Sequence, residues 1–107
     1  MKFPVLHVKH LPVPGMALFP FILLKEKKYK LDPVFINHEK IHLIQQLELL
    51  IIPFYLLYLL NYIVNLLRFK NHFKAYMNIV FEKEAYAEEK KLRYIKSRKL
   101  WAWLHYF

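Results

Sequence analysis

The sequence predicts a mainly α fold with a small β-hairpin or edge sheet (α+β), within a single domain covering residues 1–107. Three features carry that reading. A favoured helix cap, Asp32-Pro33, opens a long stretch free of glycine and proline until Pro53. Three further helical segments follow, broken only by short interruptions. A short apolar run ahead of the cap, holding Pro20, has strand length rather than helix length.

Taken in order, residues 1–16 carry Pro4, Pro12 and Pro14 with His7 and His10, and read as an irregular N-terminal segment. The two histidines are open to metal ligation or to an ordinary surface role. Residues 17–31 read as edge strand material. The run Ala17 to Leu24 is a strand that Pro20 confines to a sheet edge, because proline cannot donate to a ladder. A polar turn follows at 25–30, with a second short strand at Tyr29-Leu31. A helix is expected over 33–52 and ends where Pro53 restricts its predecessor. Residues 54–69 form an apolar helix, 73–92 a third helix and 94–105 a basic amphipathic one.

Composition narrows the chemistry. There is no cysteine, which excludes disulfides, thiolate zinc sites and cysteine nucleophiles, and the redox compartment is unreadable. A single glycine argues against a Gly-rich phosphate loop. The hydrophobic share of 57% exceeds what a small soluble core needs, so part of the apolar surface should meet a membrane, partner or substrate. A net charge of +9 points to an anionic neighbour, phospholipid or nucleic acid. Lys2 precedes an apolar stretch, but prolines interrupt it and no small-residue cleavage site follows, so no secretory signal is read and a cytoplasmic location or the cytoplasmic face of a membrane is expected.

His38-Glu39-Lys40-Ile41-His42 is the stretch with chemical content. Histidines four apart project from one helical face, where both rings can reach one zinc ion. Glu39 between them is placed to take a proton from a metal-activated water. A catalytic zinc usually takes a third protein ligand. The acidic stretch from Phe81 to Glu89 is its natural source, and Glu84 is the chosen donor because Ala85 and Ala87 let helices approach. Glu88, one turn on, is expected to orient a ligand ring, whereas Glu82 is placed on another face. Tyr86, Tyr76 and His72 are candidates to donate to a developing negative charge. The edge strand, with Leu18, Phe19, Phe21 and Ile22, is expected to bind an extended peptide by strand addition.

HEKIH followed some forty residues later by Glu-Lys-Glu-Ala-Tyr-Ala-Glu resembles the gluzincin zinc peptidases, which carry HExxH on one helix and a ligand glutamate on a second. Chain length and element order are most similar to the minigluzincins. His38 to Gln46 also resembles an HExxHxxQQ pattern of bacterial relatives, and the peptidase domain of membrane-bound β-lactam sensors likewise follows its HExxH helix with an apolar segment. The resemblance covers roughly residues 17–90. It implies a zinc-dependent peptidase with the metal on His38, His42 and Glu84, Glu39 as general base, and a peptide or protein substrate. One departure is the Tyr86 found where many relatives carry aspartate in Glu-Ala-Asp patterns. The alternative is a non-catalytic zinc-binding or membrane-associated interaction module on the same scaffold.

Two readings stay open for residues 49–67: a bilayer-crossing segment near the lower length limit, or a buried core helix. Lys90, Lys91, Arg93, Lys96, Arg98 and Lys99 interleaved with Trp101 and Trp103 suit an anionic membrane interface; no nucleic-acid motif accompanies them. The terminal aromatics could alternatively fold back over the cleft and block it. Substrate preference and oligomeric state are not legible.

Overall fold

The computed structural model describes residues 3–107; Lys2 lies outside them. The chain is mostly helical with one three-stranded sheet. Its strands are β1 (Val5–His7), β2 (Gly15–Leu18) and β3 (Phe21–Leu24), in the order β1-β3-β2. β3 is central because it is the most apolar: Ile22 and Leu24 are fully buried. β1 pairs with it in parallel and β2 in antiparallel, Ala17 opposite Ile22.

The expected single strand over 17–24 is therefore a hairpin. Pro20 sits in its two-residue connection, where no ladder bond is required of it. The segment 1–16 is not wholly irregular, since it supplies β1 and the start of β2. The expected strand at Tyr29-Leu31 is a 3-10 turn over Lys27–Leu31.

Helix α1 (Pro33–Glu48) starts as the sequence dictates, with the Asp32 carboxylate accepting from the backbone N–H of Val34 and Phe35. It stops four residues before the expected end. Leu50 and Ile51 take positive φ (60° and 69°), and the Ile52 N–H bonds the Leu50 carbonyl at 2.8 Å. That is a γ-turn of the strained kind. Helix α2 (Ile52–Phe69) follows with Pro53 in its first turn. Left-handed Lys70 closes it, and Asn71 caps α3 (His72–Met77) through Lys74 N–H.

The helix expected over 73–92 is broken at Asn78-Ile79. Its second piece is α4 (Val80–Glu88). The basic amphipathic helix expected over 94–105 does not form; the segment is a four-residue α5 (Tyr94–Ser97), an extended link and a 3-10 turn at Ala102–Tyr106. Its hydrophobic residues do not share one face, because Trp103 is buried against Phe81 while Trp101 and Leu104 are exposed.

Two apolar clusters flank α1. Ala17, Ile22, Leu24 and Leu43 join the sheet to one side of the helix. Phe54, Ile79, Val80, Phe81 and Trp103 form the helical core. The single glycine, Gly15, brings β2 against α1: a Cβ there would run into the Phe35 ring.

Candidate metal centre

Helix α1 buries Asn37, Glu39, His42, Gln45 and Gln46. A helix with so polar an inward face must satisfy those groups internally, and all but Glu39 have identifiable partners. Gln46 binds the sheet, donating to Ala17 O at 2.7 Å and accepting from Phe19 N–H at 2.9 Å. Gln45 donates to Phe81 O and to Glu84, which turns its Oε1 toward His42 Nδ1 at 2.8 Å. His42 Nδ1 is thereby the protonated nitrogen, and Nε2 is the atom presented to the cleft. On His38 the same selection is made by Glu89, 2.9 Å from Nδ1.

The two Nε2 atoms meet at Glu82. Its Oε1 lies 3.1 Å from His38 Nε2 and 2.9 Å from His42 Nε2, and the two nitrogens are 3.2 Å apart. The other carboxylate oxygen accepts from Tyr58 OH at 2.6 Å. Donors of a four-coordinate zinc with bonds of about 2.0–2.1 Å stand roughly 3.3 Å from one another, so these three atoms fit one zinc with a few tenths of an ångström of spread. Ligating atoms of His38, Glu39 and His42 also lie within 4.8 Å of each other and could hold a metal ion. Glu82 is nevertheless the carboxylate in contact with both rings.

Glu84, the expected donor, is not beside the rings; the α4 carboxylate that lies there is Glu82. Residues two apart on a helix face opposite ways, so α4 presents two acidic stripes. Glu82, Tyr86 and Glu89, at i, i+4 and i+7, face His38. Glu84 and Glu88 face the C-terminal segment instead. Fully buried Glu84 accepts from Arg98, Tyr94 and Gln45. Glu88 accepts from Tyr106 and pairs with Lys91, so the orienting role expected of it falls to Glu89. The i, i+4, i+7 spacing was the available signal for Glu82 and Glu89.

Electrostatics follow the contacts. Burial alone would lower the His42 pKa, but the adjoining Glu82 carboxylate outweighs it and raises the ring to about 9. Burial would raise Glu82, and the two histidines more than reverse that, holding it well below the usual carboxylate range. Glu39 is raised, chiefly by burial, with His42 and His38 opposing and Glu82 adding. It is 6% exposed and its Oε2 has no hydrogen-bond partner among the described residues.

The centre opens into a cavity of about 810 Å³, walled by the outer edge of β2, by α1, by the tyrosines of α2 and by α4. Tyr76, Tyr86 and His72 line it. Tyr86 stacks edge-on against His38, and its hydroxyl is 2.9 Å from that of Tyr76; His72 Nδ1 is 2.8 Å from Tyr62 OH. The strand wall is misplaced in the sequence reading. Gly15, Met16 and Ala17 line the cavity, whereas Leu18, Phe19, Phe21 and Ile22 do not, Ile22 being buried on the central strand. His7 and His10 are exposed and do not line the cavity, His7 bonding Lys25 O. No residue beyond Glu89 lines the cavity, so the terminal aromatics do not cover it.

Compared with protein-family models, with curated proteins and with solved structures, the chain matches none.

Proposed function

We propose that this chain is a zinc-dependent peptidase of gluzincin type, with the metal held by His38, His42 and Glu82. The observation that supports it most is the meeting of two Nε2 atoms and one carboxylate oxygen at about 3 Å separations. Three lone pairs directed at one another repel unless a cation or a shared proton lies between them. A bound zinc would supply Lewis acidity toward a peptide carbonyl and acidify a water molecule.

The chain's own groups do the rest. Glu39 carries a buried, unpartnered Oε2 and a raised pKa, both suited to accepting a proton from that water and returning it to the departing amine. Tyr58 fixes Glu82, while Gln45 and Glu89 fix the ring tautomers. β2 is an edge strand, and its register turns the backbone groups of Gly15 and Ala17 away from β3. Gln46 and Tyr55 already occupy the Ala17 carbonyl, which leaves the Gly15 backbone to pair with an extended peptide. Tyr76, Tyr86 and His72 stand along the wall as donors to a developing oxyanion.

Two measurements test the reading: zinc content of the purified chain, and hydrolysis of an unfolded protein substrate. Glu39→Gln should keep one zinc per chain and lose about 10²–10⁴ in rate. Equal hydrolysis by that variant and the parent would remove Glu39 from its role. One zinc per chain without any cleavage would favour a non-catalytic zinc module.

A further inference from the structure

Helix α2 is neither a core helix nor a free-standing span. Two of its residues, Phe54 and Asn65, are buried. One face is pinned to the protein: Tyr58 donates to Glu82, Asn61 accepts from Val80 N–H and Asn65 donates to Ala75 O. These attachments recur at i, i+3 and i+7, a single helical stripe. The opposite stripe is bare. Leu56, Leu59, Leu60, Ile63 and Leu67 are 43–74% exposed. An 18-residue helix is about 27 Å long, so this is an extended apolar surface and not a scatter of single residues.

Charge identifies what covers it. Residues 49–81 contain no aspartate or glutamate, and Arg68, Lys70 and Lys74, all exposed, stand at the C-terminal end of the stripe beside exposed Phe73. A second copy is disfavoured, since two chains of +9 each would be brought together. We propose that the outer face of α2 docks, from one side only, into an anionic lipid leaflet, with Arg68, Lys70 and Lys74 on the headgroups. Side chains of this kind embed in the headgroup–acyl boundary while a polar face stays out. Here the other face stays on the protein, because spanning would strip Asn61, Asn65 and Tyr58 of their partners. The two candidate roles of residues 49–67 thus give way to a third. Docking is independent of the metal reading, and the test is run on zinc-loaded and chelated protein alike.

The test is flotation of the full chain with vesicles of phosphatidylcholine alone or mixed with phosphatidylglycerol. The chain should float with the mixed vesicles and at least tenfold less with the neutral ones. Leu60→Gln/Leu67→Gln should reduce flotation at least tenfold, and Arg68→Gln/Lys70→Gln/Lys74→Gln should abolish the preference for anionic lipid. Because the chain has no cysteine, Leu60→Cys takes a single polarity-sensitive fluorophore, which covers the case of a glutamine variant that misfolds. Its emission should shift to the blue only when mixed vesicles are added. Failure to float, undiminished flotation of the folded Leu60→Gln/Leu67→Gln variant, or a probe already shielded without lipid in a sedimenting dimer would each overturn the proposal. The dimer would assign the face to a second copy instead.

Discussion

Glu82 and Glu84 lie two residues apart on one helix and meet opposite surroundings, and that contrast yields the sharpest residue-scale prediction. Glu82→Ala should lower zinc affinity at least about 100-fold, because a ligand is lost outright. Glu84→Ala should leave the proposed ligand set in place and instead take one of two carboxylate partners from the Arg98 guanidinium, whose side chain is 3% exposed and keeps Glu48. Removing one partner so that a buried charge is left uncompensated costs about 3–5 kcal/mol; with Glu48 still paired to Arg98 the loss should be smaller, measurable as a fall in the denaturant midpoint. Zinc lost from folded Glu84→Ala but kept by Glu82→Ala would reverse the assignment. The His42–Glu82 contact adds a pH signature. In metal-free protein His42 is raised from 6.5 to about 9, so its stabilisation is complete below 6.5 and lost as pH rises through about 9. Glu82 is lowered, so its share is present above 4.5 and lost as pH falls through its folded value. Zinc must displace the His42 proton, hence affinity should rise about tenfold per pH unit between about 7 and 9, as read by chelator competition; a flat profile over that range would count against it. His38, Glu39 and His42 were legible because an i, i+4 pair on a continuous helix needs no tertiary knowledge. For Glu82 the spacing to Tyr86 and Glu89 was readable, but which stripe of α4 faces α1 is decided by tertiary packing.

Elements show the same division. The α1 start was readable from Asp32-Pro33, whose capping bonds form as the residue types require. Its end was not, because the turn at Leu50 and Ile51 overrides the usual preference of branched side chains for negative φ. That strain is testable. Leu50 is 80% exposed, so Leu50→Gly removes little packing while relieving a left-handed conformation that costs a non-glycine residue about 1–2 kcal/mol. The variant should melt roughly 4–8 °C higher; an unchanged or lower midpoint would mean the turn is not strained. Pro20 shows the limit of residue rules applied one at a time. Its missing donor is expected to confine the whole 17–24 run to a sheet edge, yet a hairpin connection satisfies the same constraint, and Phe21–Leu24 after it is the central strand. The basic C-terminal segment was misread because interleaved charge and apolar residues suggested a helix, whereas Arg98 turns inward to an ion pair and Trp103 into the core.

For the whole molecule, α1 is the shared wall of two small cores, with the His38–His42–Glu82 cluster where the helical one meets the cleft. Neither core is large, and the C-terminal segment completes one of them: Trp103 packs on Phe81 at 5.1 Å between ring centres, and Tyr94 and Tyr106 bond the acidic stripe of α4. A chain ending at Arg93 should therefore lose both Trp103 and the partner of Glu84. It is expected to lose cooperative unfolding and zinc together, seen as a flattened thermal transition by circular dichroism. Retention of a sharp transition and of one zinc would show that the helices set their spacing without it.

Arg98 forks between Glu84 on α4 and Glu48 at the end of α1. It is also made sixteen residues later than Glu82 (98 − 82). During synthesis every ligating group is therefore in place before the clasp that fixes the distance between their helices. If the proposed ligand set of His38, His42 and Glu82 holds zinc, a nascent chain stalled in that interval would carry all three groups without a settled geometry, and secure loading is expected only once Arg98 is in place.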